Sequence, residues 1–350
     1  MADESSVRSA LATVKYPGFS RDIVSFGLIK SIKVEGDRVD VLMSFSTRDP
    51  KVPEQIYKET RAALEGLPGV SDVRIEFDLK EPPAAPKGGG EALASRIPGV
   101  KRIIAVASGK GGVGKSTVSA NLAVSLAASG HRVGLCDCDL YGPSMALMFG
   151  TNDELLADDA DRIIPARRHG IQLISMGLLV RDDSAVIVRG PLATRYIQQL
   201  LRQVAWDDLD YLILDLPPGT GDIQLTIVQT VALDGAVLVT TPQEVALIDC
   251  RKAATMFAKV NVPVLGIVEN MSYFLCPNDG NRYEIFGAGG GATEAKRLNV
   301  PLLGEVPIDI ATRQAGDRGA PVALLEPEAS PASAVFREVA AKVDALFVGG

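Results

Sequence analysis

The chain has 350 residues, a formal net charge of -7 and a 47% share of hydrophobic residues, so it is long enough for two globular domains and too apolar to be disordered. No apolar run approaches the roughly 20 residues that cross a bilayer, and the acidic balance argues against nucleic acid or a membrane surface as a partner. The N-terminus lacks a signal-peptide pattern, and four cysteines do not make a disulfide framework, so we expect a cytoplasmic protein.

The first segment, residues 1–81, predicts a small α+β domain. Apolar and polar residues alternate in two stretches, which is the period of half-buried strands. The alternating residues are Val39, Val41, Met43 and Phe45 in the first stretch and Val73, Ile75, Phe77 and Leu79 in the second. Gly36 and Asp37 predict a hairpin turn before the first stretch, and helical spacing from Ile56 to Leu67 predicts a helix between the two.

Residues 82–98, PPAAPKGGGEALASRIP, are rich in Pro, Ala and Gly and predict a linker. In the remaining segment, 99–350, short continuous apolar runs alternate with helical stretches, as in strands that are buried on both faces. These runs are 103–107, 133–136, 211–214, 236–239 and 264–268. The pattern predicts an α/β domain with a doubly wound, mostly parallel sheet, in which ligands bind at the carboxyl ends of the strands.

A glycine-rich motif follows the first of these strands. SGKGGVGKST contains G-x-x-x-x-G-K-S from Gly109 to Ser116, which is typical of a P-loop NTPase. Its glycines let backbone N–H groups approach phosphate oxygens, Lys115 reaches the β- and γ-phosphates of ATP, and Ser116 ligates Mg²⁺. The predicted nucleotide-binding residues of the loop are Gly109, Lys110, Gly111, Gly112, Val113, Gly114, Lys115, Ser116 and Thr117.

Two acidic strand ends complete the predicted nucleotide site. YLILDLPPGTGD ends a strand with Asp215, which is suited to bind Mg²⁺ through water, and its PPGTGD loop is a candidate sensor of the γ-phosphate. HRVGLCDCDLYGPS ends another strand with Asp137 and Asp139. An aspartate at a strand end also commonly caps a loop, and this alternative stays open for Asp139 and Asp215.

The loop GKGGVGKST resembles the deviant phosphate loop of the class that contains MinD, ParA and the nitrogenase iron protein. In that class the first lysine of the loop, here Lys110, crosses a dimer interface to the partner's nucleotide. Without the resemblance, Lys110 reads as a solvated loop lysine. The resemblance also assigns Asp139 to positioning or activating the attacking water, so it implies a homodimeric ATPase in which Lys110, Lys115 and Asp139 are catalytic.

Several further segments resemble the Mrp/ApbC branch of this class, the iron–sulfur cluster carrier ATPases. They are DLYGPS (139–144), VRGPL (188–192), DYLILDLPPGTGD (210–222), TTPQEVALID (240–249), ENMSYF (269–274) and YEIFGAGGG (283–291). The resemblance spans residues 97–320, and the N-terminal module resembles the small domain that often precedes such ATPases. It implies that Asn270 recognises adenine, and that the protein takes clusters from a scaffold and passes them to apo-proteins.

In this family two C-x-x-C pairs meet across a dimer axis and hold one [4Fe–4S] cluster. This sequence instead has Cys276-Pro-Asn-Asp279, a turn-rich stretch that predicts an exposed thiol. Carboxylate is a harder and weaker ligand than thiolate for the iron of such clusters, so Asp279 is the poorer of the two predicted ligands. The remaining cysteines, Cys136, Cys138 and Cys250, are predicted to be small buried core residues.

Two other functions are compatible with the ATPase motifs. The first is a MinD/ParA-like scaffold switched by nucleotide, but a MinD-like anchor is a basic amphipathic helix. The tail SAVFREVAAKVDALFVGG has a neutral polar side, and its apolar side predicts a helix that packs on its own domain. That apolar side consists of Val335, Phe336, Val339, Val343 and Phe347. The second is a clusterless relative that binds another metal or only a partner protein, which Asp279 favours.

Overall fold

The structure is a computed structural model that describes residues 3–15, 22–24, 28–45, 51–79, 94–153, 155–160, 162–179 and 190–348. The chain divides into two compact units, Met1–Glu91 and Ala92–Gly350. Most of the predicted linker, residues 82–93, lies outside the described residues, as do the first two residues of VRGPL. The borders of the linker therefore stay predictions.

The N-terminal unit contains two helices and a three-stranded sheet. Its elements are α1 (Glu4–Leu11), β1 (Ile29–Glu35), β2 (Arg38–Phe45), α2 (Lys51–Glu65) and β3 (Asp72–Leu79). Strands β1 and β2 pair antiparallel across the turn at Gly36, whose φ of +68° favours glycine, and β3 pairs parallel with β2. The hairpin and the helix are as predicted. Helix α1 was not predicted, because its 8 residues bury only Val7 and Leu11.

This unit has a hydrophobic core of its own between the sheet and the two helices. Val39, Val41 and Met43 project from one face of β2 and are buried together with Ile56 and Leu64 of α2. Complete burial of such a side chain contributes about 1.5–3 kcal/mol. The alternation read from the sequence therefore marks the face of the sheet that the helices cover.

The C-terminal unit is an α/β domain built around a larger sheet. Its strands are β4 (Val100–Ala107), β5 (Val133–Asp137), β6 (Ala166–Arg168), β7 (Ile171–Ser175), β8 (Leu209–Asp215), β9 (Gly235–Thr240), β10 (Val264–Glu269), β11 (Phe274–Leu275), β12 (Arg282–Tyr283) and β13 (Leu302–Glu305). Its α-helices are α3 (Lys115–Ala128), α4 (Met145–Met148), α5 (Met176–Leu179), α6 (Gly190–Arg202), α7 (Asp222–Thr230), α8 (Glu244–Lys259), α9 (Gly290–Leu298), α10 (Ile310–Asp317) and α11 (Pro331–Val348).

Eight strands form the main sheet in the order β13-β10-β9-β4-β8-β5-β7-β6, and β11 pairs only with β12. Neighbouring strands are parallel except at the edge, where β6 runs antiparallel to β7. This topology confirms the predicted doubly wound, mostly parallel sheet. Because β4 lies between β8 and β9, the loop that follows it emerges at the centre of the carboxyl edge, where such sheets bind ligands.

The sheet separates two hydrophobic cores. Alternate residues of β4 face opposite ways, so Ile103 belongs to the core under α6 to α9, whereas Ile104 belongs to the core under α3 and α11. The tail packs on its own domain as predicted, since Phe336, Val339 and Val343 are fully buried. The three cysteines predicted to lie in the core are buried. No described helix combines the length and apolar character that crossing a membrane requires.

We predict that residues 94–350 fold without the N-terminal unit, because each unit buries its own apolar cluster. The truncated protein should elute as a soluble species in size-exclusion chromatography and bind ATP with the affinity of the full chain in a titration. Aggregation of the truncated protein, with the full chain soluble under the same conditions, would contradict this prediction.

Candidate functional site

The phosphate loop connects the end of β4 to the first residue of α3, so the helix N-terminus and its backbone N–H groups point at the predicted phosphate position. Gly114 has φ of +78°, and a Cβ there would lie 2.1 Å from Asn270 Nδ2. A Cβ at Gly109 would lie 1.9 Å from the carbonyl oxygen of Asp249 in α8. These two positions therefore require glycine, and each brings the loop against a different neighbouring segment.

The remaining residues of the loop differ in exposure. Gly111 and Gly112 are exposed, Thr117 is half-buried and Val113 is buried beneath the loop. The Lys110 side chain is also exposed, and no ion pair of its ammonium group is recorded among the described residues. The surface of the loop thus presents backbone amides and a solvent-facing lysine, whose reach toward a partner subunit stays a prediction.

Asp215, at the end of β8, is the centre of a buried polar cluster. Its carboxylate lies 2.7 Å from Lys115 Nζ, and Ser116 Oγ donates a hydrogen bond of 2.7 Å to its second oxygen. Ser119 Oγ donates another, of 2.6 Å. Lys115 is only 6% exposed and Asp215 is fully buried. Ser119 was not predicted, although its place one helical turn after Lys115 puts it on the same face of α3.

Asp137 lies beside Asp215, because β5 and β8 pair in register at these two residues. Its Oδ2 accepts hydrogen bonds from the backbone N–H groups of Ser144 and Met145 and from Ser175 Oγ, at 2.9–3.2 Å. Burial, and next the negative charge of Asp215, raise the pKa of Asp137 to about 7. The strand end predicted from the sequence thus carries an acid that ionises near neutral pH.

Asp139 is half-buried and turns the chain after β5. Its Oδ1 accepts hydrogen bonds from the backbone N–H groups of Tyr141 and Gly142, both at 3.2 Å. These contacts are those of a loop-capping aspartate. The role in activating water stays a prediction.

The PPGTGD loop folds back onto the phosphate loop. Gly219 N–H donates a hydrogen bond of 3.0 Å to the carbonyl of Ser108, directly before Gly109. Gln224 of α7 holds the other side of the loop through a bond of 2.5 Å from Nε2 to the carbonyl of Pro217. The predicted γ-phosphate sensor is therefore in contact with the strand end that carries the phosphate loop.

Asn270 lies directly after β10 and contacts the phosphate loop itself. Its Nδ2 donates a hydrogen bond of 2.8 Å to the carbonyl of Val113. Asn270 also lines a cavity of about 340 Å³ together with Thr117, Met271, Pro307 and Ile308. This volume is within the range of small-molecule sites, about 300–1,000 Å³. The segment around Pro307 was not predicted, since no phosphate or metal motif marks it.

Cys276 lies in the loop of the hairpin formed by β11 and β12. Its N–H donates to the carbonyl of Asn281, and its own carbonyl accepts from Gly280 N–H, each at 2.9 Å. The residue is half-buried, so the prediction of an exposed thiol was wrong in degree. The turn composition was read correctly, but both backbone groups of Cys276 are paired inside the hairpin. It is still the only one of the four cysteines that is not buried.

Asp279 braces the same hairpin. Its two carboxylate oxygens accept hydrogen bonds from Asn281 N–H at 2.9 Å and from Tyr283 OH at 2.7 Å. The Asn281 N–H, and next the Tyr283 hydroxyl, lower the pKa of Asp279 to about 2, so this carboxylate is ionised at neutral pH. Within the described ranges, no group of three or more His, Cys, Asp and Glu side chains is placed to hold a metal ion in one subunit.

The phosphate loop and the Asp215 cluster together define a P-loop NTPase. A family model described as the NUBPL iron-transfer P-loop NTPase matches residues 99–344, and one described as an iron-sulfur cluster assembly protein matches residues 4–77. The chain belongs to this family of iron-transfer P-loop NTPases. The family match confirms the resemblance read from the sequence.

Individual relatives agree with the family match. The chain is 47% identical to an iron-sulfur cluster carrier protein of Deinococcus radiodurans over 327 residues, which cover 93% of this chain and 91% of the relative. It is 50% identical to the carrier protein of that name in Escherichia coli K12 over 250 residues, or 71% and 68% of the two chains. A nucleotide-binding protein of Archaeoglobus fulgidus, solved with ADP, has a TM-score of 0.58 and 41% identity, covering 65% of this chain and 90% of that one. The cell division ATPase MinD of Pyrococcus furiosus has a TM-score of 0.55 and 25% identity, covering 70% and 99%.

The raised pKa of Asp137 predicts a pH dependence of stability for the nucleotide-free protein. The folded state holds the Asp137 proton up to a pKa of about 7, whereas the ordinary value is 3.8. Stability from this group is therefore complete below the lower value and is lost as the pH rises through the higher one. Urea unfolding at about pH 5 and about pH 8 should show a loss of roughly 2–4 kcal/mol that Asp137→Asn lacks. The same loss in both proteins would contradict the prediction.

Proposed function

We propose that this protein is an ATP-hydrolysing homodimer that binds a labile iron–sulfur cluster at Cys276 and passes it to apo-proteins in the cytoplasm. One observation carries the proposal. The only cysteine outside the core lies on a hairpin that starts four residues after Asn270, and Asn270 bonds to the phosphate loop. The names of the relatives from Deinococcus radiodurans and Escherichia coli support the same function.

The residues around Asp215 suit ATP and Mg²⁺. Lys115 forms an ion pair with the Asp215 carboxylate, and the β- and γ-phosphates of ATP would compete with that carboxylate for its ammonium group. Ser116 Oγ and the Asp215 carboxylate offer the hard oxygen ligands that Mg²⁺ prefers, the carboxylate acting through water. When bound, Mg²⁺ neutralises charge on the phosphate oxygens. Asp139 orients the attacking water.

The nucleoside lies in the cavity next to Asn270. The Asn270 side chain donates one N–H to the carbonyl of Val113, and its second N–H and its oxygen remain available to bind the adenine ring. Pro307 and Ile308 supply apolar surface on which a purine can lie. The cavity thus adjoins the phosphate site through Thr117 and Asn270.

A second copy of the chain completes the site. The exposed Lys110 ammonium group is free of ion pairs with the other described residues and reaches the partner's nucleotide. Apolar side chains at the start of α8 are also exposed, Val245 by 51% and Ile248 by 43%. They lie beside Asp249, which touches Gly109, so the exposed apolar surface adjoins the phosphate loop. Burying it between two ATP-loaded subunits is favourable.

The cluster is cargo, held where two subunits meet. Two Cys276 thiolates supply soft ligands for iron, and the other iron positions of a [4Fe–4S] cluster fall to Asp279 or to small thiols from solution. Asp279 is a weak base and already accepts two hydrogen bonds, which reduces its strength as a ligand. A cluster held in this way exchanges readily, as taking it from a scaffold and giving it to a client require.

The two lysines of the phosphate loop should behave differently when replaced. Lys115→Ala should abolish ATP binding, because it removes the charge held within the subunit and leaves Asp215 buried without its ion pair. Lys110→Ala should bind ATP normally but lose ATP-dependent dimerisation and at least about 100-fold in turnover. Titration, sedimentation and phosphate release measure the three properties. Normal turnover by Lys110→Ala would remove the role in the partner's site.

Replacing residues of the hairpin should change cluster binding without affecting ATP binding. Cys276→Ala should prevent anaerobic reconstitution with iron and sulfide, whereas Asp279→Cys should make the cluster more resistant to chelators by adding a second thiolate per subunit. Visible absorption and iron counting per dimer give the yield. A reduced yield for Asp279→Ala would make the carboxylate a ligand.

A wild-type protein that takes up no iron, and that Cys276→Ala matches in every assay, would contradict the carrier function. The protein would then be a clusterless ATPase that binds another metal or only a partner protein. Normal ATP turnover in the same preparation would separate that outcome from a misfolded sample.

A further inference from the structure

We infer that the dipeptide Glu269-Asn270 is the mechanical link between the phosphate loop and the cysteine hairpin, with Glu269 as a positioning residue for Cys276. The inference rests on the proposed function only for the identity of the cargo. The two residues are consecutive at the end of β10, and their side chains contact different functional segments.

Asn270 provides the contact on the nucleotide side. It is 6% exposed, and its Nδ2 bonds to the carbonyl of Val113 and lies so close to Gly114 that a Cβ there would be 2.1 Å away. A shift of the Val113 or Gly114 backbone when phosphates bind must therefore move the Asn270 side chain or break its hydrogen bond. Packed contacts of this kind pass displacements on, because interiors leave little free space.

Glu269 provides the contact on the cargo side and is fully buried. One carboxylate oxygen accepts a bond of 2.5 Å from Ser272 Oγ, two residues before β11. The other accepts a hydrogen bond from Gly291 N–H, in the first turn of α9 after the hairpin. Gly291 approaches so closely that a Cβ there would lie 2.8 Å from the Glu269 Cβ. One carboxylate thus ties together the two ends of segment 272–291, which contains Cys276.

The dipeptide is also held from both sides by backbone hydrogen bonds. Asn270 N–H donates to the carbonyl of Thr240 at 2.8 Å, and Val306 N–H donates to the carbonyl of Glu269 at 2.8 Å. Ser272 N–H donates to the carbonyl of Val306 at 2.9 Å. The connection between the two side chains is therefore short and stiff. A displacement of Asn270 is passed through Glu269 to Ser272 and Gly291, the two ends of segment 272–291.

The complete burial of Glu269 makes its hydrogen bonds to Ser272 and Gly291 essential. A buried carboxylate needs its hydrogen bonds, because an unpaired one is costly to bury. When the phosphate loop displaces the dipeptide, Ser272 and Gly291 must follow Glu269 or lose their bonds. Nucleotide binding thereby changes the distance between the two ends of segment 272–291. Cargo bound at Cys276 must in turn change the affinity for nucleotide by the same factor by which nucleotide changes the affinity for cargo.

The experiment measures alkylation of Cys276 by iodoacetamide in the full-length protein, with and without the magnesium complex of a non-hydrolysable ATP analogue. The other three cysteines are buried, and mass spectrometry of the Cys276 peptide gives its rate directly. In wild type the analogue should change the rate by at least about fivefold, the lower end of typical coupling between sites. In Glu269→Gln the change should fall below about twofold, because the amide has a single acceptor oxygen and cannot accept from both Ser272 Oγ and Gly291 N–H. Ser272→Ala should also reduce the effect of the analogue on the alkylation rate, and this second variant decides the test if Glu269→Gln folds poorly.

The matched control is Glu294→Gln, since Glu294 is also buried, lies in α9 and bonds to Arg251 at 2.7 Å, but has no bond to Ser272 or Gly291. This control should keep the wild-type response to the analogue. A wild type that does not respond, or a full response in both Glu269→Gln and Ser272→Ala, would overturn the inference. All variants are compared in a Lys110→Ala background, which should bind the analogue without dimerising, so that shielding of Cys276 by a partner subunit does not contribute to the response. Because the assay needs no cluster, the inference and the proposed cargo fail or stand separately.

Discussion

The ion pair of Lys115 and Asp215 is the interaction on which the nucleotide site depends. It joins the start of α3 to the end of β8 across 2.7 Å, with Asp215 fully buried and Lys115 only 6% exposed. Burying two charges costs several kcal/mol per ion, and a single contact seldom offsets that cost. Ser116 and Ser119 supply the additional hydrogen bonds that make the arrangement tolerable. The resulting cluster fixes the helix N-terminus relative to the sheet before any phosphate arrives.

The same cluster also affects the pKa of the neighbouring acid, Asp137. Asp137 and Asp215 end adjacent strands, so their carboxyl groups share one small buried volume. Lys115 forms an ion pair with Asp215, whereas Asp137 has hydrogen bonds and, among the described residues, no cationic partner. Burial, and next the negative charge of Asp215, raise the pKa of Asp137.

Sequence patterns predicted those features that depend on residues close together in the chain. The phosphate loop, the strand ends and the α3 helix follow from spacing within about a dozen residues. The contact of Asn270 with Val113 joins residues 157 positions apart, and no local pattern encodes such a pairing. Ser119 was missed because a serine in a helix carries no signal by itself. The family resemblance assigned Asn270 to adenine, but only the structure reveals its bond to the loop.

Glu269 and Asn270 point to different segments because successive residues at a strand end project to opposite sides. The number of residues is therefore more strictly constrained in β10 than in the turn of the hairpin. Inserting or deleting one residue within β10 would exchange the two side chains, bringing the carboxylate to the phosphate loop and the amide to the hairpin. The turn from Cys276 to Asn281 is joined to the rest by its own hairpin bonds and can change length without this exchange. Natural and engineered variation in cargo chemistry should consequently accumulate in the turn, while the strand that precedes it keeps its register.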